Sequence, residues 1–303
     1  MSILKVIILA IVQGLAELLP VSSSAHVVVA EKLMGYDPSS PEMTLLLVMF
    51  HTGSMFAVIA FFWSTWRSVY FSSKQAFQRF AVLVLWATLL TGIVAEGIKK
   101  IIERTLFRGS SNTDIEQLFS YLELVAPALA VAGLLILTAG LLERREIDRT
   151  TQEQEGNRRA GEEHGMLSAK QAGWMGVVQG LALPFRGLSR SGSTISAAML
   201  LGVAKERAER FSFALAVVLT PAVVGVEALR LRKASLLAAS TGAPLDLRGS
   251  LLLSLLGMVF SFLAGLVALR WLSSWLESGR WYLFGIYCII ASVFVYHLHT
   301  RGF

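Results

Sequence analysis

The chain has 303 residues, of which 54% are hydrophobic and only 16% charged, with a formal net charge of +6 and a mean hydropathy of +0.61. Soluble domains carry about 25% charged residues, and several apolar runs here reach the roughly 20 residues that span a bilayer, so composition argues against a soluble enzyme and for an integral membrane protein. Most basic residues lie between the apolar runs, where they face lipid headgroups, and no basic stripe with interleaved aromatics points to nucleic acid. The single cysteine, Cys288, excludes an intramolecular disulfide.

The first apolar segment, 2–33, is interrupted. It reads Val12-Gln13-Gly14-Leu15-Ala16-Glu17-Leu18-Leu19-Pro20-Val21-Ser22-Ser23-Ser24-Ala25-His26. It leads into an acid and serines rather than a small-residue cleavage site, so it does not resemble a cleaved signal peptide. The pattern predicts a helix, a break at Pro20, and a second helix that returns to the same side of the membrane. Irregular backbone at that depth is tolerated where protein or a wet cavity surrounds it. Spans are expected at about 43–65, 80–97 and 121–142. In the first of them His51, Thr52, Gly53 and Ser54 either line a cavity or pack helices together.

Residues 143–171 form a mixed-charge linker with few large apolar residues, expected to be mobile. Segment 168–204 is broken like the first: Val178-Gln179-Gly180-Leu181-Ala182, then Pro184-Phe185-Arg186-Gly187-Leu188-Ser189-Arg190-Ser191-Gly192-Ser193-Thr194. Five residues before the break are identical in the two copies. Spans at about 208–229, 249–272 and 281–299 follow.

Each half is therefore one re-entrant hairpin plus three spans. A hairpin does not change sides and three spans do, so the second half starts on the opposite face. The expected fold is an all-α integral membrane protein with an inverted-topology repeat, 1–142 and 172–303, whose hairpins meet near the midplane. Lys and Arg number 14 on the linker face and 11 on the other, with Arg186 and Arg190 in the second hairpin. The bias is weak and favours a cytoplasmic linker with both termini outside.

Gln13 and Glu17 are four apart and share a helix face. The serine turn beyond Pro20 can cap a helix or bind ligand oxygens, and His26 opens the next apolar stretch. Capping, a buried histidine and a structural ion pair would be the bland account, but ionisable groups clustered in an apolar segment are functional candidates by default. The second copy has Leu183 in the place of Glu17 and supplies Arg190 instead. Its planar fork suits phosphate oxygens, and it can also neutralise Glu17. Acid, imidazole, hydroxyls and guanidinium together fit phosphoryl transfer, with Ser23, His26 or an activated water as nucleophile. No zinc spacing, phosphate-binding P-loop or Gly-x-Ser-x-Gly elbow occurs. Glu96 and Glu227 lie near span ends, and His297 and His299 at the C-terminal membrane edge, where they are expected to be interfacial.

Glu17-Leu-Leu-Pro-Val-Ser-Ser-Ser-Ala-His26, with Gln13 upstream, closely resembles the first signature of the bacitracin-resistance type undecaprenyl-diphosphatases. Gly187-Leu-Ser-Arg-Ser-Gly192 resembles their second. The resemblance implies hydrolysis of undecaprenyl diphosphate to the monophosphate in recycling of the cell-wall carrier lipid, in the bacterial inner membrane. It implies a catalytic set of Glu17, Ser23, His26 and Arg190. Substrate contacts are expected from Ser22, Ser24, Arg186, Gly187, Ser189 and Ser191, and a Mg²⁺ or Ca²⁺ ion at Gln13 and Glu17. The expected partners are the polyprenyl diphosphate lipid and the bilayer, with a homodimer left open. Two departures stand out. The second signature usually starts Pro-Gly where this chain has Arg186-Gly187, and Gln13 is a weaker metal ligand than a carboxylate. The rival function is transport of an anionic lipid, since inverted repeats with broken helices also build transporters.

Overall fold

Pro20 has no N–H to give a helix, and the first helix stops just before it. The structure, a computed structural model, describes residues 2–36, 41–106, 122–153, 167–185, 187–240, 247–277 and 279–301. Among these every regular element is a helix. In order the helices are α1 (Ile3–Leu18), α2 (Ser23–Leu33), α3 (Pro41–Val69), α4 (Lys74–Leu106) and α5 (Leu122–Glu153). Then come α6 (Ala169–Ala182), α7 (Arg190–Leu200), α8 (Lys205–Ser240), α9 (Leu247–Glu277) and α10 (Trp281–Thr300).

Six helices are long and apolar enough to cross a membrane: Met43–Val69, Lys74–Ile102, Glu123–Arg145, Lys205–Val226, Leu251–Ser274 and Trp281–Thr300. They are the six expected spans, extended by a turn or more at several ends, because a helix does not stop where its hydrophobicity does. For the same reason α5 continues to Glu153, so the stretch assigned to a linker from residue 143 begins as helix. The linker also ends in order: Ser168 and Gln171 form a capping box that opens α6. Residues 154–166 lie outside the described residues. Large apolar side chains cover the outside of the spans, Leu252 being 70% exposed, which is a surface suited to lipid.

The two short helix pairs share details that the sequence match did not cover. α2 and α7 each have 11 residues. Each is preceded by a serine with positive φ, Ser22 at 67° and Ser189 at 48°, which are the two non-glycine residues of that kind among the described residues. Each ends on a glycine in the left-handed region, Gly35 at 78° and Gly202 at 75°, where the missing Cβ removes the steric penalty.

The hairpins are held at their glycines. α1 packs on α9, where a Cβ on Gly14 would lie 2.8 Å from Ala264 Cβ and run into the Ser261 carbonyl. α6 packs on α4, where a Cβ on Gly180 would lie 2.7 Å from the Thr91 carbonyl oxygen. Small residues at such crossings allow the close backbone approach that drives association in lipid. The first break is enclosed: Leu19, Val21 and Ala25 belong to the main core, with Phe62, Ile136, Phe213, Leu272 and Trp281.

Candidate active site

The break after α1 turns the chain so that Ser23, first residue of α2, faces back onto Glu17, in the last turn of α1. Ser23 Oγ donates to Glu17 Oε2 at 2.5 Å. Gln13, one turn earlier on the same face, donates through Nε2 to that oxygen at 3.1 Å. The other carboxylate oxygen, Oε1, takes Arg190 Nη2 at 2.6 Å. Arg190 is the first residue of α7, so the ion pair ties one hairpin to the other across 173 positions of sequence. The Glu17 and Arg190 side chains are 14% and 22% exposed, so the pair is enclosed yet open to a ligand.

The expected salt bridge between the halves is therefore present. Only Nη2 of the guanidinium is engaged, and its remaining donors have no hydrogen bond to a described residue. The hairpin tips touch elsewhere: a Cβ on Gly192 would lie 3.1 Å from Pro20 Cβ. The N-termini of α2 and α7 thus come together beside one carboxylate and one guanidinium. Ser22 makes no side-chain cap to α2, so the first N–H groups of that helix, which carry its positive dipole end, are not taken up by it.

The expected substrate-contact residues divide. Ser22 and Ser24 hydroxyls are 3.4 Å apart beside Ser23. Ser189 caps α7, its Oγ accepting from the Gly192 N–H at 3.2 Å, and Ser191 is buried. Gly187, at φ 115°, packs against α5, where a Cβ would lie 3.1 Å from Ala128 Cβ. Arg186 lies outside the described residues.

His26 hydrogen-bonds neither Glu17 nor Ser23 through its ring. Its Nδ1 lies 2.8 Å from the Ser22 carbonyl oxygen and its Nε2 2.6 Å from the Tyr287 hydroxyl on α10. The hydroxyl of Ser23 is bonded to Glu17 instead. Sequence reasoning did not single out Tyr287, whose position 261 residues away in an ordinary span carries no local signal. His51 is closer to the site than its neighbours: its Nδ1 lies 2.7 Å from Gln13 Nε2. Thr52 bonds its own helix and Ser54 bonds Ser261 on α9 at 3.0 Å, so the remainder of that polar run serves packing. His299 pairs with Glu123 at 3.1 Å, and Glu96 with Lys100 at 3.8 Å, both at partly exposed positions.

For a divalent cation, the protein supplies only part of a shell. No group of three or more His, Cys, Asp or Glu side chains gathers among the described residues. The candidate oxygens are those of Glu17, which already accept from Ser23, Gln13 and Arg190, and Gln13 Oε1, which is buried without a hydrogen-bond partner. One carboxylate and one carboxamide oxygen fit Mg²⁺, which commonly takes one or two protein oxygens and completes its octahedron with substrate phosphates and water.

Comparison with known proteins adds a family. The model of the family described as "Bacitracin resistance protein BacA" matches residues 6–294. The chain is 53% identical over 293 residues to "Undecaprenyl-diphosphatase 2" of Acinetobacter baylyi, covering 96% of each. It is 31% identical to "Undecaprenyl-diphosphatase" of Methanosphaera stadtmanae, covering 97% of this chain and 96% of that one. To the protein of that name from Desulfatibacillum aliphaticivorans it is 32% identical, covering 94% of each.

Proposed function

The chain belongs to the bacitracin resistance protein BacA family, and on that premise we propose that it is a multi-pass membrane phosphatase that hydrolyses undecaprenyl diphosphate to undecaprenyl phosphate and phosphate. This recycles the carrier lipid of cell-wall synthesis. The observation that carries the chemistry is the Glu17 carboxylate, which binds Ser23 Oγ through one oxygen and Arg190 through the other. A hydroxyl held on a carboxylate is an activated nucleophile. A guanidinium beside it is a counter-charge for phosphoryl oxygens. A carrier that only moves the lipid needs the cation but has no use for the hydroxyl–carboxylate pair.

The steps follow from these contacts. The diphosphate enters between the hairpin tips, and its terminal phosphoryl group draws on the unused donors of Arg190 and the N–H groups opening α2. Ser23 Oγ attacks that phosphorus while its proton passes to Glu17. The bond from phosphorus to the bridging oxygen breaks, and undecaprenyl phosphate leaves with the electron pair. Water then attacks the phosphoserine, its proton passing to His26. Phosphate leaves as the Ser23 oxygen takes back the proton held on Glu17. Gln13 Oε1 and Glu17 would hold a divalent ion, which when bound supplies charge neutralisation to the diphosphate oxygens.

The paired hairpins, each with a positive-φ serine before an 11-residue helix, support an inverted repeat with two re-entrant segments. On that topology the linker lies in the cytoplasm and the site opens to the outer side of the inner membrane. The test is phosphate release from undecaprenyl diphosphate by the purified protein in detergent. Release by the wild type and its loss in Ser23→Ala are the expected results. An inactive wild type that still binds the lipid would favour transport.

A further inference from the structure

His26 has a ring whose two nitrogens have different fixed partners. A carbonyl oxygen can only accept, so Nδ1, 2.8 Å from the Ser22 carbonyl, carries the proton in the neutral ring. Nε2 is then the basic nitrogen, and the Tyr287 hydroxyl 2.6 Å away donates to it. The two rings also stack, with centroids 5.6 Å apart and planes 13° from parallel. Hydrogen bond and stack together fix both the direction of the Nε2 lone pair and the plane of the imidazole.

Tyr287 is itself well placed to do this. The next residue on α10, Cys288, is buried with Sγ 3.4 Å from the Pro20 carbonyl, so α10 grips the hairpin break at the adjacent position. The Tyr287 side chain is 45% exposed, so neither burial nor core packing accounts for its hydroxyl facing the imidazole.

We propose that Tyr287 serves the phosphatase reaction as the proton relay to His26, fixing the Nε2 side of the ring while the Ser22 carbonyl sets the Nδ1–H tautomer. The proton lost by the attacking water goes to the phenol oxygen as the phenol's own proton passes to Nε2, and the hydrogen bond reverses. The imidazolium N–H then donates to the phenol oxygen, and no heavy atom needs to move. This rests on the catalytic reading of His26 given above. A positioned proton-transfer group contributes about 10²–10⁴-fold, part of which a bound water can restore.

The experiment pairs kinetics with the tautomer itself. Tyr287→Phe keeps the ring and removes only the hydroxyl. The expected result is a kcat at least about tenfold lower with KM within about twofold. In protein labelled with ¹⁵N-histidine, with the His26→Ala spectrum assigning the resonance, wild-type His26 should show the Nδ1–H neutral form with a hydrogen-bonded Nε2, and Tyr287→Phe the same tautomer with its Nε2 resonance shifted downfield by loss of that bond. Unchanged kcat in Tyr287→Phe would overturn the proposal. So would an Nε2–H tautomer in the wild type, which needs no variant to fold. Full turnover in His26→Ala would also overturn it, by removing the role that Tyr287 serves. In that case the spectra still show whether the pair exists, so the two failures are distinguishable.

Discussion

At the scale of residues, Glu17 is the hinge of the site because it bonds the Ser23 hydroxyl, the Gln13 amide and the Arg190 guanidinium together. Glu17→Gln keeps the shape but removes the proton acceptor. Turnover is expected to fall about 10²–10⁴-fold, the usual worth of a proton-transfer group. Arg190→Lys keeps the charge and loses the fork, and is expected to cost about 10²-fold, as loss of an oxyanion donor does. Both are read from phosphate release, and near-normal rates in either would remove the assignment. Stopping a turnover with acid should leave acid-stable phosphate on Ser23, whereas acid-labile phosphate on His26 would transfer the nucleophile's role to the imidazole. A chelator should suppress release without lowering thermal stability, because on the proposed reading only Gln13 and Glu17 would hold the ion. Unaffected turnover in chelator would dismiss the metal. The acid, the serine and the arginine were legible because ionisable and polar groups are costly in an apolar run and are kept there for function. Tyr287 was not, since a tyrosine in a span is ordinary, and His51 was ambiguous because helix packing uses the same residue types.

At the scale of elements, the hairpins depend on two devices, a turn that starts the short helix and a glycine that lets the long one approach its neighbour. Ser189 serves the first by capping Gly192. Ser189→Ala should cost about 1 kcal/mol, the typical worth of an N-cap, seen as a lower unfolding temperature in detergent. Gly14 serves the second. Gly14→Val has to find room against the Ser261 backbone and Ala264, and overpacking of this kind costs about 1–3 kcal/mol. A Gly14→Val protein as stable as the wild type would show that the α1–α9 crossing is looser than its geometry. The identical Val-Gln-Gly-Leu-Ala runs announced the duplication because Gln, Gly and the break recur in register. The matching positive-φ serines did not show in the sequence, as the left-handed region is a tertiary imposition on serine rather than a preference of it. Helix ends were also out of reach. Hydrophobicity reports where lipid is, and α5 runs past that edge to Glu153.

At the scale of the whole molecule, the site exists only if the two halves oppose each other. Glu17 and Arg190 close the α1 and α7 ends on one another. If both hairpins enter and return, three spans separate them in the chain, and the halves must approach from opposite faces. The same count puts the stretch between the halves on one side and both termini on the other. Cysteine labelling tests this independently of enzyme activity. Cys288 is replaced first, by Ala, to remove the buried native thiol. Single cysteines are then placed at Gln154 and at Thr300. A membrane-impermeant reagent applied to intact cells should label the Thr300 site, and the Gln154 site only after the membrane is opened. Labelling of both from the same side would break the inverted arrangement, since an odd number of crossings could no longer separate them. The opposing approach of Arg190 to Glu17 would then need a different path of the chain, even if every variant at the site behaved as expected.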